Sequence, residues 1–95
     1  MSRARPAARM PARAKAPSRH RVAAAFGQVL RTLRVEAGLS QEAFAELAGV
    51  DRTTPSTYER GLRQPTLTHV FLIACVLGTQ PERLVSETRA RLEGS

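Results

Sequence analysis

The stretch Gln41-Glu42-Ala43-Phe44-Ala45-Glu46-Leu47-Ala48-Gly49-Val50-Asp51-Arg52-Thr53-Thr54-Pro55-Ser56-Thr57-Tyr58-Glu59-Arg60 decides the fold. Phe44, Ala45, Leu47 and Ala48 form a short apolar stripe at helical spacing. Ser40 precedes it as an N-cap, because its hydroxyl can accept from the free N–H groups of a first turn. Gln41 and Glu42 suit the positive end of that helix. Gly49 ends it after about two turns. Asp51 is a second N-cap candidate and opens a polar segment running to Arg60-Gly61. Pro55 leaves two starts open for the second helix. If Asp51 caps it, Pro55 is the fourth helical residue and deletes the first intrahelical N–H bond. If it starts at Thr54, Pro55 opens it and Arg52 and Thr53 belong to the preceding loop.

Working outward, Phe26, Leu30, Leu33 and Ala37 fall at i, i+4, i+7 and i+11, one face of a preceding helix that Gly38 stops. Arg31 and Arg34 flank that face, and Arg31 reads equally as a phosphate contact or a solvated charge. Gln64-Pro65 marks a loop, since the residue before proline is pushed out of helical geometry. Thr66 caps a fourth helix whose Val70, Phe71, Ile73, Ala74, Val76 and Leu77 are apolar nearly all round, so it is expected to be the most buried element. Gly78 ends it. Pro81 suits the first position of a last helix, with Leu84, Val85 and Leu92 on its inner side, where they either close the core or form a dimer seam. The expected architecture is all-α, five helices with short connections and no strand. Phe26, Phe44, Phe71 and Tyr58 are expected in its core.

Ninety-five residues leave room for one small domain and a tail. Charge is divided the same way. Arg3, Arg5, Arg9, Arg13, Lys15, Arg19 and Arg21 are unopposed by any Asp or Glu in residues 1–21. The eight basic residues that follow are balanced by all eight acidic ones, so the net charge of +7 belongs to the N-terminal segment. Residues 1–18, rich in Arg, Ala and Pro with almost no apolar bulk, are expected to be a disordered basic tail, and 19–95 the folded domain. The tail either follows a phosphate backbone or is simply solvated.

Several functions drop out. The longest apolar run, Val70 to Leu77, is far shorter than the roughly 18 residues of a membrane span. The N-terminus has no apolar segment of the secretory kind, and Pro6, Pro11 and Pro17 oppose the amphipathic helix of an organellar transit peptide. A single cysteine, Cys75, excludes an internal disulfide and reads as a buried thiol. His20 and His69 are too few for a metal site. No nucleophile–base pattern, phosphate loop or carboxylate pair is present, so neither an enzyme nor a cofactor is expected.

The helices at about 41–60 have the helix-turn-helix arrangement, which requires a second helix with a polar outer face that fits a major groove. The segments Gly38-Leu39-Ser40-Gln41-Glu42, Leu47-Ala48-Gly49-Val50-Asp51-Arg52-Thr53, Tyr58-Glu59-Arg60-Gly61 and Pro65-Thr66-Leu67, at these spacings, resemble the Cro/CI-type (XRE) helix-turn-helix family. The resemblance runs from about Phe26 to Leu84 and implies a compact lambda-repressor-like domain. By the same resemblance, Arg52, Thr53, Ser56 and Thr57 match base-reading positions, and the Arg fork fits guanine O6 and N7. Gln41 matches a position that touches phosphate and braces the recognition helix, and Arg60 and Arg63 match a loop on the DNA backbone. Arg34 and Glu59 match a structural ion pair. Pro55 stands where relatives commonly carry Ile or Val, and the flanking matches favour the longer helix starting at Asp51.

The implied function is a sequence-specific duplex-DNA-binding transcriptional regulator, a homodimer on a two-fold operator, acting in the cytoplasm at the nucleoid. Three readings stand beside it: an antitoxin of the same fold, with a toxin as protein partner; an interaction module that has lost DNA reading; and nonspecific nucleic-acid packaging through the tail, which predicts similar affinity for all sequences and steep salt dependence.

Overall fold

The structure, a computed structural model, describes residues 16–94. Five helices follow one another: α1 (Arg19–Glu36), α2 (Gln41–Ala48), α3 (Thr54–Glu59), α4 (Leu67–Leu77) and α5 (Pro81–Gly94). No strand occurs among the described residues. The all-α, five-helix expectation is met. Most of the expected disordered tail, residues 1–15, lies outside the described residues.

Local chemistry sets the boundaries. The hydroxyls of Ser18, Ser40 and Thr66 accept from the backbone N–H groups of Arg21, Ala43 and His69 and so cap α1, α2 and α4. Gly49 at the end of α2 has φ +69°, a left-handed conformation that lets its own N–H and that of Val50 fold back onto the Glu46 and Ala45 carbonyls. That reversal is the turn between the two short helices.

The second of these is shorter than the flanking matches favoured. α3 starts at Thr54, and Arg52 and Thr53 precede it. The cause is Pro55. In a helix opened at Asp51, the Asp51 carbonyl would accept from the N–H of residue 55, which proline lacks. Thr54 N–H takes that carbonyl instead, at 2.9 Å, in a tighter turn. The Asp51 carboxylate accepts from the Thr53 N–H at 2.8 Å and its hydroxyl at 2.6 Å, which closes the turn. The first full helical bond runs from Thr57 N–H to the Thr53 carbonyl, 3.0 Å. Pro55 itself is fully buried. It fills an apolar position inside the fold at the expense of helix length.

The core gathers Phe26, Val29, Leu30 and Leu33 of α1 with Phe44, Tyr58, Ile73, Ala74 and Leu84. α1 is its axis, packing on α3 and α5, while α2 bridges α3 and α4 and α4 rests on α5. The expectation that α4 is the most buried element fails. Only Ile73 and Ala74 of α4 are fully buried. Phe71 is 58% exposed rather than core, Leu67 is 72% exposed, and Cys75 is exposed rather than buried. A helix apolar all round needs neighbours all round, and α4 packs mainly on the sides of α2 and α5. On α5, Leu84 is fully buried but Val85 turns outward. Leu47 and Ala37, read as inward, are exposed.

One contact fixes how α3 lies on α1. A Cβ on Gly27 would sit 2.3 Å from the Tyr58 carbonyl oxygen and 2.8 Å from that of Glu59. The helices therefore meet backbone to backbone, and only glycine fits. Gly27→Ala is expected to lower unfolding free energy by about 1–3 kcal/mol or more, the cost of overpacking a site walled by main chain. A urea titration with unchanged midpoint would refute this close approach.

Candidate nucleic-acid interface

The recognition segment is held by a buried ionic lock. Arg34, from α1, donates through Nε to Glu59 Oε2 at 2.5 Å and through Nη2 to Glu59 Oε1 at 3.0 Å. Its Nη1 donates to the Leu39 carbonyl at 2.7 Å, tying in the α1–α2 loop. Gln41 Nε2, at the start of α2, donates to Glu59 Oε1 at 3.0 Å. The two charged side chains are 8% and 4% exposed. The hydrogen bonds to Glu59 raise the Arg34 pKa above its ordinary value, outweighing burial, which acts the other way. Arg34 and Glu59 are thus the structural pair the resemblance implied. Gln41 braces the pair through its own hydrogen bond to Glu59, and its amide carries a second N–H.

Beyond the lock lies the segment that faces outward. Arg52 and Thr53 are exposed, while Ser56 and Thr57 are half-buried in α3. Positions 53, 56 and 57 follow i, i+3 and i+4, so the cap residue and the first helical turns share one face. The Thr57 hydroxyl donates to the Thr53 carbonyl at 2.9 Å, which fixes its side chain on the first turn of α3. The corrected helix start recasts Arg52 and Thr53 as turn residues, aimed by the Asp51 carboxylate rather than by a helix. Hydrogen bonds from the Thr53 hydroxyl, then from its N–H, hold the Asp51 pKa below its ordinary value. The carboxylate therefore holds the turn at neutral pH, and this contribution is lost only as pH falls through that lowered pKa.

Two partners of the site were invisible in the sequence. Glu42, read only as a first-turn acid, lies 3.8 Å from Arg52 Nη1, with both side chains more than three-quarters exposed. Such a pair contributes at most about 1 kcal/mol, so Arg52 is easily released to a stronger acceptor. His69, dismissed as a lone metal ligand, meets the Tyr58 hydroxyl through Nδ1 at 2.6 Å and ties α3 to α4. Burial pushes the Tyr58 pKa up, with the Arg63 charge opposing, so the phenol stays neutral near pH 7.

Arg60 and Arg63, both exposed, occupy the loop after α3. The Arg63 guanidinium lies 5.7 Å from the Tyr58 ring centroid, a cation–π contact that shelves it on the core. Arg52, Thr53, Arg60 and Arg63 are thus presented by one unit, the turn, α3 and its following loop, locked to α1 and α2. Among the described residues, no group of three or more His, Cys, Asp or Glu side chains is placed to hold a metal, and no helix is long and apolar enough to cross a membrane.

This is the geometry of a helix-turn-helix domain. The profile of the helix-turn-helix family matches residues 30–84, and the chain belongs to that family, of the Cro/CI (XRE) type. The structure is similar to that of the restriction–modification controller protein C.AhdI from Aeromonas hydrophila, with 42% identity and a TM-score of 0.63 over 65% of this chain and 94% of that one. It is also similar to the restriction–modification controller C.Esp1396I, solved as a tetramer with its natural 35 base-pair operator, at 30% identity and a TM-score of 0.61 over 70% and 93% of the two chains. In sequence, the chain is 35% identical over 68 residues to the cryptic phage CTXphi transcriptional repressor RstR of Vibrio cholerae. That match covers 72% of this chain and 61% of RstR's own length.

Replacing Arg34 by Met leaves the Glu59 carboxylate buried beside Gln41 alone, which is expected to cost about 3–5 kcal/mol of stability. Replacing both partners by Met should cost less than the sum of the two single changes. Strict additivity in a double-mutant cycle would mean the pair does not act as a unit.

Proposed function

We propose that this protein is a transcriptional regulator that binds a two-fold duplex DNA operator as a homodimer and reads base edges through the Asp51–Thr57 segment. The observation that carries the reading is the lock of Arg34, Glu59 and Gln41, which holds an exposed Arg52 and Thr53 on a rigid support. Arg52, Thr53, Ser56 and Thr57 then read bases, and Gln41, Arg60 and Arg63 contact phosphates. RstR, a repressor, and C.Esp1396I, solved with operator DNA, support the same reading by their family relation. The protein would then act on DNA in the cytoplasm. The test is selection of binding sites from a random duplex pool at near-physiological salt. A symmetric motif with half-sites roughly one helical turn, about 34 Å, apart is expected. Arg52→Ala should relax preference at one position per half-site by about 1–3 kcal/mol. Arg63→Ala should weaken all sequences alike and reduce the salt slope by about 1. An Arg52→Ala protein with unaltered base preference would overturn the assignment.

The exposed apolar residues of α4 and α5 support the second copy. Leu67, Val70, Phe71, Pro81 and Val85 line one groove, with Glu82 and Arg89 also on its rim. Of the seam candidates, Leu84 closes the core and Val85 turns outward. Across a two-fold axis the same patch meets itself. Phe71→Glu should keep the helical fold, because Phe71 is outside the core, yet sediment as a monomer and lose most operator affinity. A variant that still sediments as a dimer would place the seam elsewhere.

A further inference from the structure

Two hydroxyls of the Asp51–Thr57 segment have their protons committed inside the fold. Thr53 Oγ1 donates to Asp51 Oδ1 at 2.6 Å, and the Thr53 N–H donates to the same oxygen at 2.8 Å. Thr57 Oγ1 donates to the Thr53 carbonyl at 2.9 Å, which also accepts the Thr57 N–H at 3.0 Å. The acceptor fixes the direction of each bond. A carbonyl oxygen has no proton to give. Neither has the Asp51 carboxylate at neutral pH, since the bonds from Thr53 keep its pKa below the ordinary value. A hydroxyl carries one donor and two acceptor lone pairs. With the donor spent, both threonines can offer an outside partner lone pairs only. The Arg52 guanidinium is the opposite, with donors and no acceptor, restrained by its exposed pair with Glu42 at 3.8 Å.

Base edges in the major groove respond to this sign. Adenine N6 and cytosine N4 are the donors there, whereas guanine presents O6 and N7 and thymine presents O4. A hydroxyl reduced to its lone pairs can bond an amino group. Against O6 or O4 it sets two acceptors face to face, with water excluded from both. The two threonines are fixed by different means. The Thr57 proton is held by main chain, which no neighbouring substitution removes. The Thr53 proton is held by one side chain, Asp51, which is exposed and precedes α3. A hydrogen bond to a carboxylate is roughly twice as strong as one between neutral groups, so a base carbonyl does not draw that proton away.

We propose that Asp51 is a positioning residue that sets specificity: by holding the Thr53 hydroxyl proton it makes Thr53 an acceptor that selects the amino group of adenine or cytosine. This rests on the operator reading above. Asp51 acts through Thr53 and not on a base itself. Every base pair carries one amino group in the major groove, so the selection appears as strand orientation. A·T and C·G share the order donor then acceptor across the groove, and T·A and G·C reverse it. Arg52 then seeks an acceptor while the residue next to it in the chain seeks a donor. Thr57 selects an amino group in the same way, independently of Asp51.

The test repeats the selection from a random duplex pool with the full chain and its variants Thr53→Val, Thr57→Val, Asp51→Ala and Asp51→Asn. Circular dichroism checks that each variant keeps its helices. The valine variants keep the side-chain shape and lose the hydroxyl, so each marks the base pair that its threonine reads. At both pairs the full chain should accept A·T and C·G in one orientation and bind the inverted pairs about tenfold more weakly, the worth of a good hydrogen bond. Asp51→Ala returns the proton to Thr53 and should let the Thr53 pair invert freely while the Thr57 pair keeps its orientation. Asp51→Asn, whose Oδ1 accepts the same two bonds, should restore the restriction. A Thr53 pair that keeps its orientation in Asp51→Ala, or a Thr53→Val protein with unaltered preference, overturns the proposal and leaves the operator reading standing. Equal relaxation at both pairs overturns it too, because Asp51 then only holds the turn together. Absence of any enriched motif with the full chain sinks the operator reading and the proposal with it.

Discussion

The bidentate pair between Arg34 and Glu59 is the constraint on which the rest of the molecule depends. It joins the last turns of the longest helix to the end of the shortest, with Gln41 and the Leu39 carbonyl drawn into the same network. A six-residue helix has too few internal bonds to stand alone, so its shape is borrowed from what it touches. Tyr58 anchors it to His69 of α4 and packs edge-on against Phe26 of α1. Gly27 lets its last carbonyls rest directly on the α1 backbone. Every one of these contacts lies on the inner side of α3, so the outer side is free for chemistry without risk to the fold.

Much of this was legible from residue spacing. The caps at Ser40 and Thr66, the Gly49 reversal, the helix opening at Pro81 and the apolar face of α1 depend on local chemistry, which a sequence carries openly. The lock was legible only through the family resemblance, because Arg34 and Glu59 are twenty-five residues apart and nothing local pairs them. Two readings failed for physical reasons. In a helix opened at Asp51, Pro55 would only delete the first N–H bond. Its missing N–H instead hands the Asp51 carbonyl to Thr54 and moves the start of α3, which turns Arg52 and Thr53 into loop residues. Apolar content on α4 was equated with burial, whereas burial depends on neighbours, and Phe71, Leu67 and Cys75 have too few.

Electrostatic labour is divided along the chain. Within the folded part the charges nearly cancel, and the strongest pairing is spent internally between Arg34 and Glu59. The outward charges are held loosely: Arg52 beside Glu42 in open solvent, and Arg63 on the face of Tyr58. Loose partners leave these side chains able to exchange for a phosphate or a base edge at little cost, because exposed ion pairs contribute so little. Removing the buried carboxylate from Arg34 would have a quite different price.

The backbone contact at Gly27 also bears on how such a protein can diversify. At Gly27 α1 and α3 touch through main chain, so at that point no side chain lies between them whose size could be varied to tilt α3. On the proposed operator reading, sequence preference then changes more readily by replacing individual side chains on the Asp51–Thr57 segment, one contact at a time, than by swinging α3 to a new angle. The scaffold is thus modular in its specificity and conservative in its pose.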